Sequence, residues 1–113
     1  MPEPSRGDIW LVDLDPVRGH EQAGRRPAVI LSTNPFNFSA AGIVVLVPLS
    51  TKEKHVPLHV RISPPEGGLR EVSFIRCEDV RAVSKERLSK RLGKVAPPTL
   101  AAVENRLRLL LEL

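Results

Sequence analysis

The side chains best suited to acid–base and phosphate chemistry stand in one stretch of the sequence, residues 19–32. A histidine can give or take a proton near neutral pH, a carboxylate can take one, and an arginine can donate paired hydrogen bonds to phosphate oxygens. These types and one amide occur close together: His20, Glu21, Gln22, Arg25 and Arg26. The stretch is therefore the first candidate for a catalytic site.

The backbone around these side chains is expected to hold them in place. Gly19 and Gly24 allow sharp bends, and Pro27 biases Arg26 toward an extended conformation. The apolar run 28–31 that follows is typical of a buried strand. Side chains beside a buried strand are held more firmly than those at a loop tip, which is what catalysis requires.

Length and composition favour one domain spanning residues 1–113. The chain is 42% hydrophobic and 27% charged, which suits a single core. The longest apolar runs, 43–47 and 109–111, are far shorter than a transmembrane span. The N-terminus shows no apolar signal region, so we expect a cytoplasmic protein that does not associate with a membrane.

The charge favours an acidic partner without identifying it, because the net charge is +4 and the pI is near 9.8. Cys77 is the single cysteine, so it cannot form an internal disulfide, and no Cys-x-x-Cys pair suggests zinc. His55 and His59 would lie roughly 13 Å apart in an extended segment, too far to share one ion. We expect no metal, no cofactor, and a buried Cys77 within a strand.

Alternating and continuous apolar patterns predict a mainly β protein. Strands are expected at 8–14, 27–32, 42–49 and 58–62, with one bulged strand or two strands over 72–77 and 79–83. The third is the most apolar and should be central in the sheet.

Helical signals come mostly after residue 83. Ser84 can cap a short helix over 85–91 that Gly93 would end, and residues 34–37 suit a short helix or an irregular loop. From Pro97 onward one apolar stripe has helical spacing, while Glu104 and Arg108 can pair on the other side. The stripe comprises Leu100, Val103, Leu107, Leu110 and Leu111. The fold class is thus a small, strongly curved sheet or partly open barrel, closed by a C-terminal helix.

Five segments resemble, in order, those of the MazF/PemK/Kid family of toxin endoribonucleases. They are 6–12 (RGDIWLV), 15–16 (DP), 19–27 (GHEQAGRRP), 34–37 (NPFN) and 47–51 (VPLST). The resemblance covers nearly the whole chain. It implies an SH3-like β-barrel of five to seven strands, a homodimer, and a cognate antitoxin as partner. It also implies metal-independent, sequence-selective cutting of single-stranded RNA, with mRNA the expected target.

Two branches of this family assign the chemistry differently, and the sequence has features of both. The MazF-like branch implies a phosphate-binding role for Arg26 and a hydroxyl after the third strand, where Ser50 stands with Thr51 beside it. The Kid-like branch implies roles for His20 and for an Arg-Cys-Asp segment. That segment matches Arg76-Cys77-Glu78, with glutamate at the aspartate position.

Cutting RNA without a metal uses the 2′-hydroxyl of the RNA as nucleophile and leaves a 2′,3′-cyclic phosphate and a 5′-hydroxyl. The reaction needs a base, cationic donors to the phosphate, and an acid for the leaving oxygen. Glu21 or Glu78 can serve as the base, and His20 as acid or base. An alternative role for Glu21 is to order the loop by pairing with Arg25 or Arg26. The expected RNA contacts are Arg25, Gln22, Thr51, Phe36 and Asn37.

Two rival functions remain open from the sequence. One is a nucleic-acid-binding barrel without catalysis, for which the basic charge would suffice. The other is a toxin that binds a protein such as DNA gyrase, as the related CcdB fold does. A pure protein-binding surface would not need the combination of His20, Glu21, Arg25 and Arg26. The binding barrel differs from the leading hypothesis, the endoribonuclease, by retarding RNA on a gel without cutting it.

Overall fold

The computed structural model describes residues 3–14 and 24–113. Within them the chain forms seven strands and two α-helices, in agreement with the predicted mainly β class. The strands are β1 (Asp8–Asp13), β2 (Arg25–Ile30), β3 (Ile43–Ser50), β4 (His59–Ile62), β5 (Ser73–Arg76), β6 (Arg81–Ser84) and β7 (Leu88–Lys94). The helices are α1 (Asn34–Asn37) and α2 (Pro97–Leu111).

All strand pairs are antiparallel, and the sheet has the order β4-β5-β3-β2-β1-β7, with β6 also pairing with β3. The apolar third strand therefore has three partners, which confirms its predicted central place. The polar residues at the ends of β2 and β3 are each paired with one neighbouring strand: Arg26 with Val12 of β1, and Ser50 with Phe74 of β5.

The two faces of the sheet carry separate apolar clusters, because successive side chains of a strand point to opposite sides. On the helix face, α2 packs Val103, with Leu100 and Leu107, against residues such as Ile9 and Val29. The second face holds a cluster that α2 does not join: Trp10, Val12, Leu14, Ala28, Ile30, Val44, Leu46, Val83 and Leu88. The second face is the one on which the polar residues described below lie.

β5 and β6 run along the same edge of β3 and are separated by the 3-10 turn Cys77–Asp79. Leu49 pairs with Ile75, whereas Leu46 pairs with Arg81, so the edge carries three more residues than β3 spans. Of the two predicted alternatives, two strands are therefore correct. The extra residues form the turn, which displaces Glu78 from the ladder, and Cys77 is buried there rather than in a strand.

The predicted helix over 85–91 is wrong. Ser84 does accept a hydrogen bond from the Glu86 backbone, but only the 3-10 turn Lys85–Arg87 follows before β7 begins. Gly93 lies inside β7, where it pairs with Ile9. Pairing along β1 and burial of Leu88 outweigh the local helical preference of this segment.

A glutamate fixes the start of α2. Ala96, at the N-cap, has no side-chain acceptor, and the carboxylate of Glu66 supplies one from a neighbouring turn. Its Oε2 accepts from the Ala96 N–H at 2.9 Å and from the Thr99 hydroxyl at 2.6 Å. Glu104 pairs with Arg6 near the N-terminus instead of the predicted Arg108. These contacts fasten the helix to the barrel.

No helix of the described residues is long and apolar enough to cross a membrane.

Candidate active site

Arg26 and Ser50 lie at the same end of the neighbouring strands β2 and β3. The pairing between these strands ends at Ala28 and Pro48, and Arg26 and Ser50 each lie two residues beyond that pair toward this end. Side chains two residues apart in a strand share a face, so Arg26 and Ser50 are on the same side of the sheet. Arg26 also pairs with the buried Val12, which places this face on the second side of the sheet. The two residues implied by the MazF-like branch therefore share one face at one end of the sheet.

The same face continues to Arg76 and His59. Ser50 pairs with Phe74, and Arg76 lies two residues further along β5, so all three side chains are on one side. His59 of β4 pairs with Arg76. We call Arg26, Ser50, Arg76 and His59, with the adjoining Glu78, the polar row. Residues implied by the two family branches thus lie on adjacent strands of a single face.

Glu78 is held inside the polar row by His59. The imidazole Nε2 donates to Oε2 of the carboxylate at 2.7 Å, and Arg76 Nη2 lies 3.9 Å from the same oxygen. Burial acts to raise the pKa of Glu78, but the hydrogen bond from His59, a backbone hydrogen bond and the charges of His59 and Arg76 lower that pKa below its ordinary value. Glu78 is therefore kept as a carboxylate.

The rest of the turn differs in its chemistry. Arg76 Nε lies 3.0 Å from Asp79 Oδ2, and the Arg76 side chain is only 14% exposed, so it does not line a solvated face. Burial nevertheless raises the pKa of Asp79, although Arg76 opposes the shift.

Burial and the charge of Glu78 raise the pKa of the Cys77 thiol to about 11. Cys77 is thus an unreactive thiol at neutral pH.

A cavity of about 550 Å³ opens where β2 begins and β3 ends. Four cationic side chains line it: Arg25, Arg26, Arg70 and Lys90. Ser50, Thr51 and a single carboxylate, Glu71, also lie on its walls. The cavity therefore joins the polar row to a positively charged surface at the position of Arg26 and Ser50.

The wall formed by residues 68–71 depends on a glycine. Gly68 has φ +72°, and a Cβ at this position would lie 1.9 Å from the carbonyl oxygen of Leu92 in β7. Only a residue without a side chain allows so close an approach. This contact places Arg70 and Glu71 beside the cavity.

The hydroxyl of Ser50 is oriented by its own turn. Ser50 is buried, and its Oγ accepts from the Lys52 N–H at 3.1 Å, which leaves the hydroxyl hydrogen available for donation. Thr51 is exposed and lies on the same cavity wall.

Three predicted site residues, His20, Glu21 and Gln22, lie outside the described residues. Their segment connects Leu14 to Gly24. The Leu14 N–H donates a hydrogen bond to the Gly24 carbonyl at 3.0 Å. The described chain thus leaves and returns at the end of the sheet that carries Arg25 and Arg26.

The predicted RNA contact at Asn37 is corrected by the structure. Asn37 is fully buried, its amide donates to the Ser32 carbonyl at 2.8 Å, and its Oδ1 accepts from the Ser32 hydroxyl. A buried side chain engaged in this way holds the loop after β2 and offers no surface to a ligand. Phe36 is half-buried in the same loop, and neither residue lines the cavity.

His59 is the member of the polar row that the sequence did not reveal. It was considered only as a metal ligand with His55, because nothing in its local sequence indicates a carboxylate partner 19 residues away. Its place after the Pro57 turn, opposite a strand rich in polar residues, was the only available signal.

The match to known proteins covers almost the full chain. A model of the PemK-like, MazF-like toxins of type II toxin–antitoxin systems matches residues 5–111. Endoribonuclease MazF9 of Mycobacterium tuberculosis (strain ATCC 25618 / H37Rv) is 36% identical over 113 residues, which covers 96% of each chain.

Solved structures of similar proteins have the same architecture. A crystal structure of MazF from Deinococcus radiodurans has a TM-score of 0.89 and 27% identity over 100% of both chains. An endoribonuclease in complex with its cognate antitoxin, from a mycobacterial species, has a TM-score of 0.80 and 27% identity over 97% of this chain and 96% of that one. These likenesses show that the chain has the fold of MazF toxins.

The chain belongs to the PemK-like, MazF-like toxins of type II toxin–antitoxin systems. The family resemblance predicted from the sequence is confirmed.

Proposed function

We propose that this toxin is an endoribonuclease that cuts single-stranded RNA, with mRNA its expected target, at short sequences by attack of the RNA's own 2′-hydroxyl. The observation that carries the proposal is the polar row, in which Arg26 and Ser50 line a basic cavity and Arg76, His59 and Glu78 lie on the same face of neighbouring strands. Family membership supports the same activity, since a relative of 36% identity is named an endoribonuclease. Such a toxin would act in the cytoplasm, where its RNA substrate lies.

In the proposed reaction Glu78 takes the proton of the 2′-hydroxyl as that oxygen attacks the adjacent phosphorus. Glu78 suits the task because its lowered pKa keeps it unprotonated. Arg26 and Arg76 donate to the phosphate oxygens as negative charge builds there, and the Ser50 hydroxyl adds a neutral donor. The 5′-oxygen leaves with a proton from a general acid, for which His20 remains the proposed group. Glu21 remains an alternative base.

The direct test is cleavage of one long RNA by the purified toxin in the presence of EDTA. We expect discrete new 5′ ends, because no step in the proposed reaction requires a metal. Retardation of uncut RNA on a gel would instead support the nucleic-acid-binding barrel. Inactivity on RNA together with capture of DNA gyrase would support the protein-binding toxin.

Comparison of Glu78→Gln with Ser50→Ala separates the two catalytic sets, since each removes one group with little change in volume. We expect Glu78→Gln to lower the single-turnover cleavage rate about 100-fold or more, as loss of a general base does. Ser50→Ala should cost only about tenfold, comparable to one neutral hydrogen bond, because the adjacent Thr51 can supply a hydroxyl.

Thr51→Ala serves as the matched control for Ser50→Ala. A nearly silent Glu78→Gln variant combined with a severe Ser50→Ala defect would contradict the role given to Glu78. The MazF-like set of Arg26 and Ser50 would then carry the reaction.

We also propose that the toxin is a homodimer. Apolar side chains remain exposed in two places, at Phe38 and Ile43 and in the last turn of α2, where Leu109 is 68% and Leu111 52% exposed. Residues 44–47 offer no such surface, although they are apolar, because most of them are buried in the chain's own core. A shallow apolar cleft of about 330 Å³ lies between α2 and the sheet, lined by Val45, Leu107 and Leu111 among others. A second copy related by a two-fold axis would cover these surfaces.

Light scattering over a dilution series tests the dimer, which should persist at micromolar concentration. Leu111→Glu places a charge in the exposed apolar patch and should shift the mass toward the monomer. Glu112→Gln, at the next residue, is a control that should not. A wild-type protein that is monomeric at micromolar concentration and still cuts RNA would contradict the homodimer as the active form.

Besides RNA, the basic cavity at Arg26 and Ser50 suits an acidic segment of a cognate antitoxin, which is the second partner that we propose. Structures of similar toxins contain their antitoxins. Arg25, Arg26, Arg70 and Lys90 would attract carboxylates as they attract phosphates. Inhibition would then be competitive with RNA and weaken as salt rises.

A further inference from the structure

We propose that His59 is a positioning residue for the reaction, acting through its hydrogen bond to Glu78. The proposal rests on the proposed function, in which Glu78 takes a proton from the RNA. His59 itself is not required to touch the substrate, because its side chain is only 4% exposed.

His59 holds one carboxylate oxygen of Glu78, Oε2, by a hydrogen bond, and the other oxygen, Oε1, has no such bond in the described part of the chain. His59 Nε2 lies 2.7 Å from Oε2, within the short range typical of a hydrogen bond to a charged acceptor. Oε1 is buried and has no hydrogen-bond partner among residues 3–14 and 24–113. A carboxylate held through one oxygen has a defined orientation, and the Glu78 side chain as a whole stays 29% exposed. His59 thus fixes the orientation of the carboxylate that receives the 2′-hydroxyl proton.

The imidazole is itself rigidly placed. His59 is the first residue of β4 and pairs with Arg76, so its ring is fixed by the sheet on the face that carries Glu78. Its Nδ1 is buried and has no partner in the described part of the chain. The ring therefore has a single polar contact there, and that contact is Glu78.

The hydrogen bond from His59 also affects the protonation of Glu78. Glu78 sits on a three-residue turn with Asp79, and burial alone would favour its protonated form. The donor from His59 opposes this, together with the charge of Arg76. The charged groups that face the turn from each packed element are His59 of β4, Arg76 of β5, Arg81 of β6 and Arg106 of α2. Of these, His59 alone combines a hydrogen bond with its charge effect on Glu78.

The test compares three substitutions of His59 by single-turnover cleavage of RNA across a range of pH. His59→Gln keeps an N–H donor near the position of Nε2, whereas His59→Asn is too short to reach Glu78, and His59→Leu has no donor. We expect His59→Leu and His59→Asn to cut about 10- to 100-fold more slowly, and their acid limbs to move to higher pH. His59→Gln should stay within a few-fold of wild type.

The expected direction of the shift in the acid limb follows from the effect of the His59 hydrogen bond on the pKa of Glu78. Without the donor, burial raises the pKa of Glu78, so the carboxylate is lost at a higher pH as the solution is acidified. A residue with a purely structural role would lower the rate without moving the acid limb. Equal rates and unshifted acid limbs for His59→Gln and His59→Leu would overturn the proposal.

A second readout needs no catalysis. The side-chain carboxyl of Glu78, followed by carbon NMR in labelled protein, should titrate below the ordinary glutamate range in wild type and higher in His59→Asn. An unchanged Glu78 titration would overturn the proposal even if cleavage changed. Failure of folded wild type to cut any RNA, with the NMR shift present, would instead count against the proposed function and leave the hydrogen-bond role of His59 supported.

Discussion

Arg26→Ala is expected to lower the rate of RNA cleavage by about 100-fold or more while the protein stays folded. Arg26 shares a face with Ser50 and lines the same basic cavity, so we expect its guanidinium to meet the phosphate where charge develops. Loss of one such donor has an effect of this size in other enzymes. The substitution opens no core, because Arg26 is half-buried at the end of the sheet.

The measurement is single-turnover cleavage of a short RNA, with circular dichroism and thermal unfolding to verify the fold. Arg108→Ala is the matched control, because it removes the same charge from an exposed position on α2 that does not line the cavity. That control should cut at nearly the wild-type rate. Near-normal activity in folded Arg26→Ala would remove Arg26 from the proposed mechanism.

Replacing a single ribose of the RNA substrate by deoxyribose should lower the cleavage rate even more than Arg26→Ala does. An RNA with a 2′-deoxy nucleotide immediately before the cut should resist cleavage at that position to the limit of detection. The nucleophile in the proposed reaction is the missing hydroxyl, and no donor or base of the protein can replace it. The check is end mapping on an otherwise identical RNA.

The control for that experiment is the same substitution one nucleotide further away, which keeps the nucleophile and alters the chain equally. Cleavage should then continue at the original position. Cutting at the deoxy position itself would show that an activated water attacks the phosphorus. That result would contradict the role proposed for Glu78.

The sequence predicted the sheet well where a strong apolar pattern determined the position of a strand. The apolar third strand had to be buried on both sides, and it is the strand with three partners. Arg26 could be singled out because it belongs to a cluster of side chains suited to phosphate chemistry, and Ser50 because the family resemblance places a hydroxyl after the third strand. The segment 85–91 failed because its helical signals are weak and local, whereas its pairing with β1 is a tertiary contact.

The candidate site was harder to predict because its geometry depends on register. A three-residue insertion between β5 and β6 projects Glu78 out of the ladder, and no local pattern shows that Leu49 will pair with Ile75. The same insertion brings His59 to Glu78 from a strand that is distant in sequence. Asn37 was misassigned for a similar reason, since only the fold shows that Ser32 occupies its polar atoms.

The polar row also bears on the choice between the two branches of the family. From the sequence, Arg26 with Ser50 and Arg76 with Glu78 were alternative catalytic sets. The strand pairings place them on one face of adjacent strands. We therefore propose that they act together, the first set on the phosphate and the second on the proton of the nucleophile.

Mass spectrometry of the products of one short RNA, cut by wild-type toxin in EDTA, is the most direct test of attack by the 2′-hydroxyl. We expect a 2′,3′-cyclic phosphate on the upstream fragment and a 5′-hydroxyl on the downstream fragment, because the 2′-oxygen replaces the leaving oxygen on phosphorus. A 3′-hydroxyl with a 5′-phosphate, or no cleavage until a divalent metal is restored, would contradict the proposed reaction.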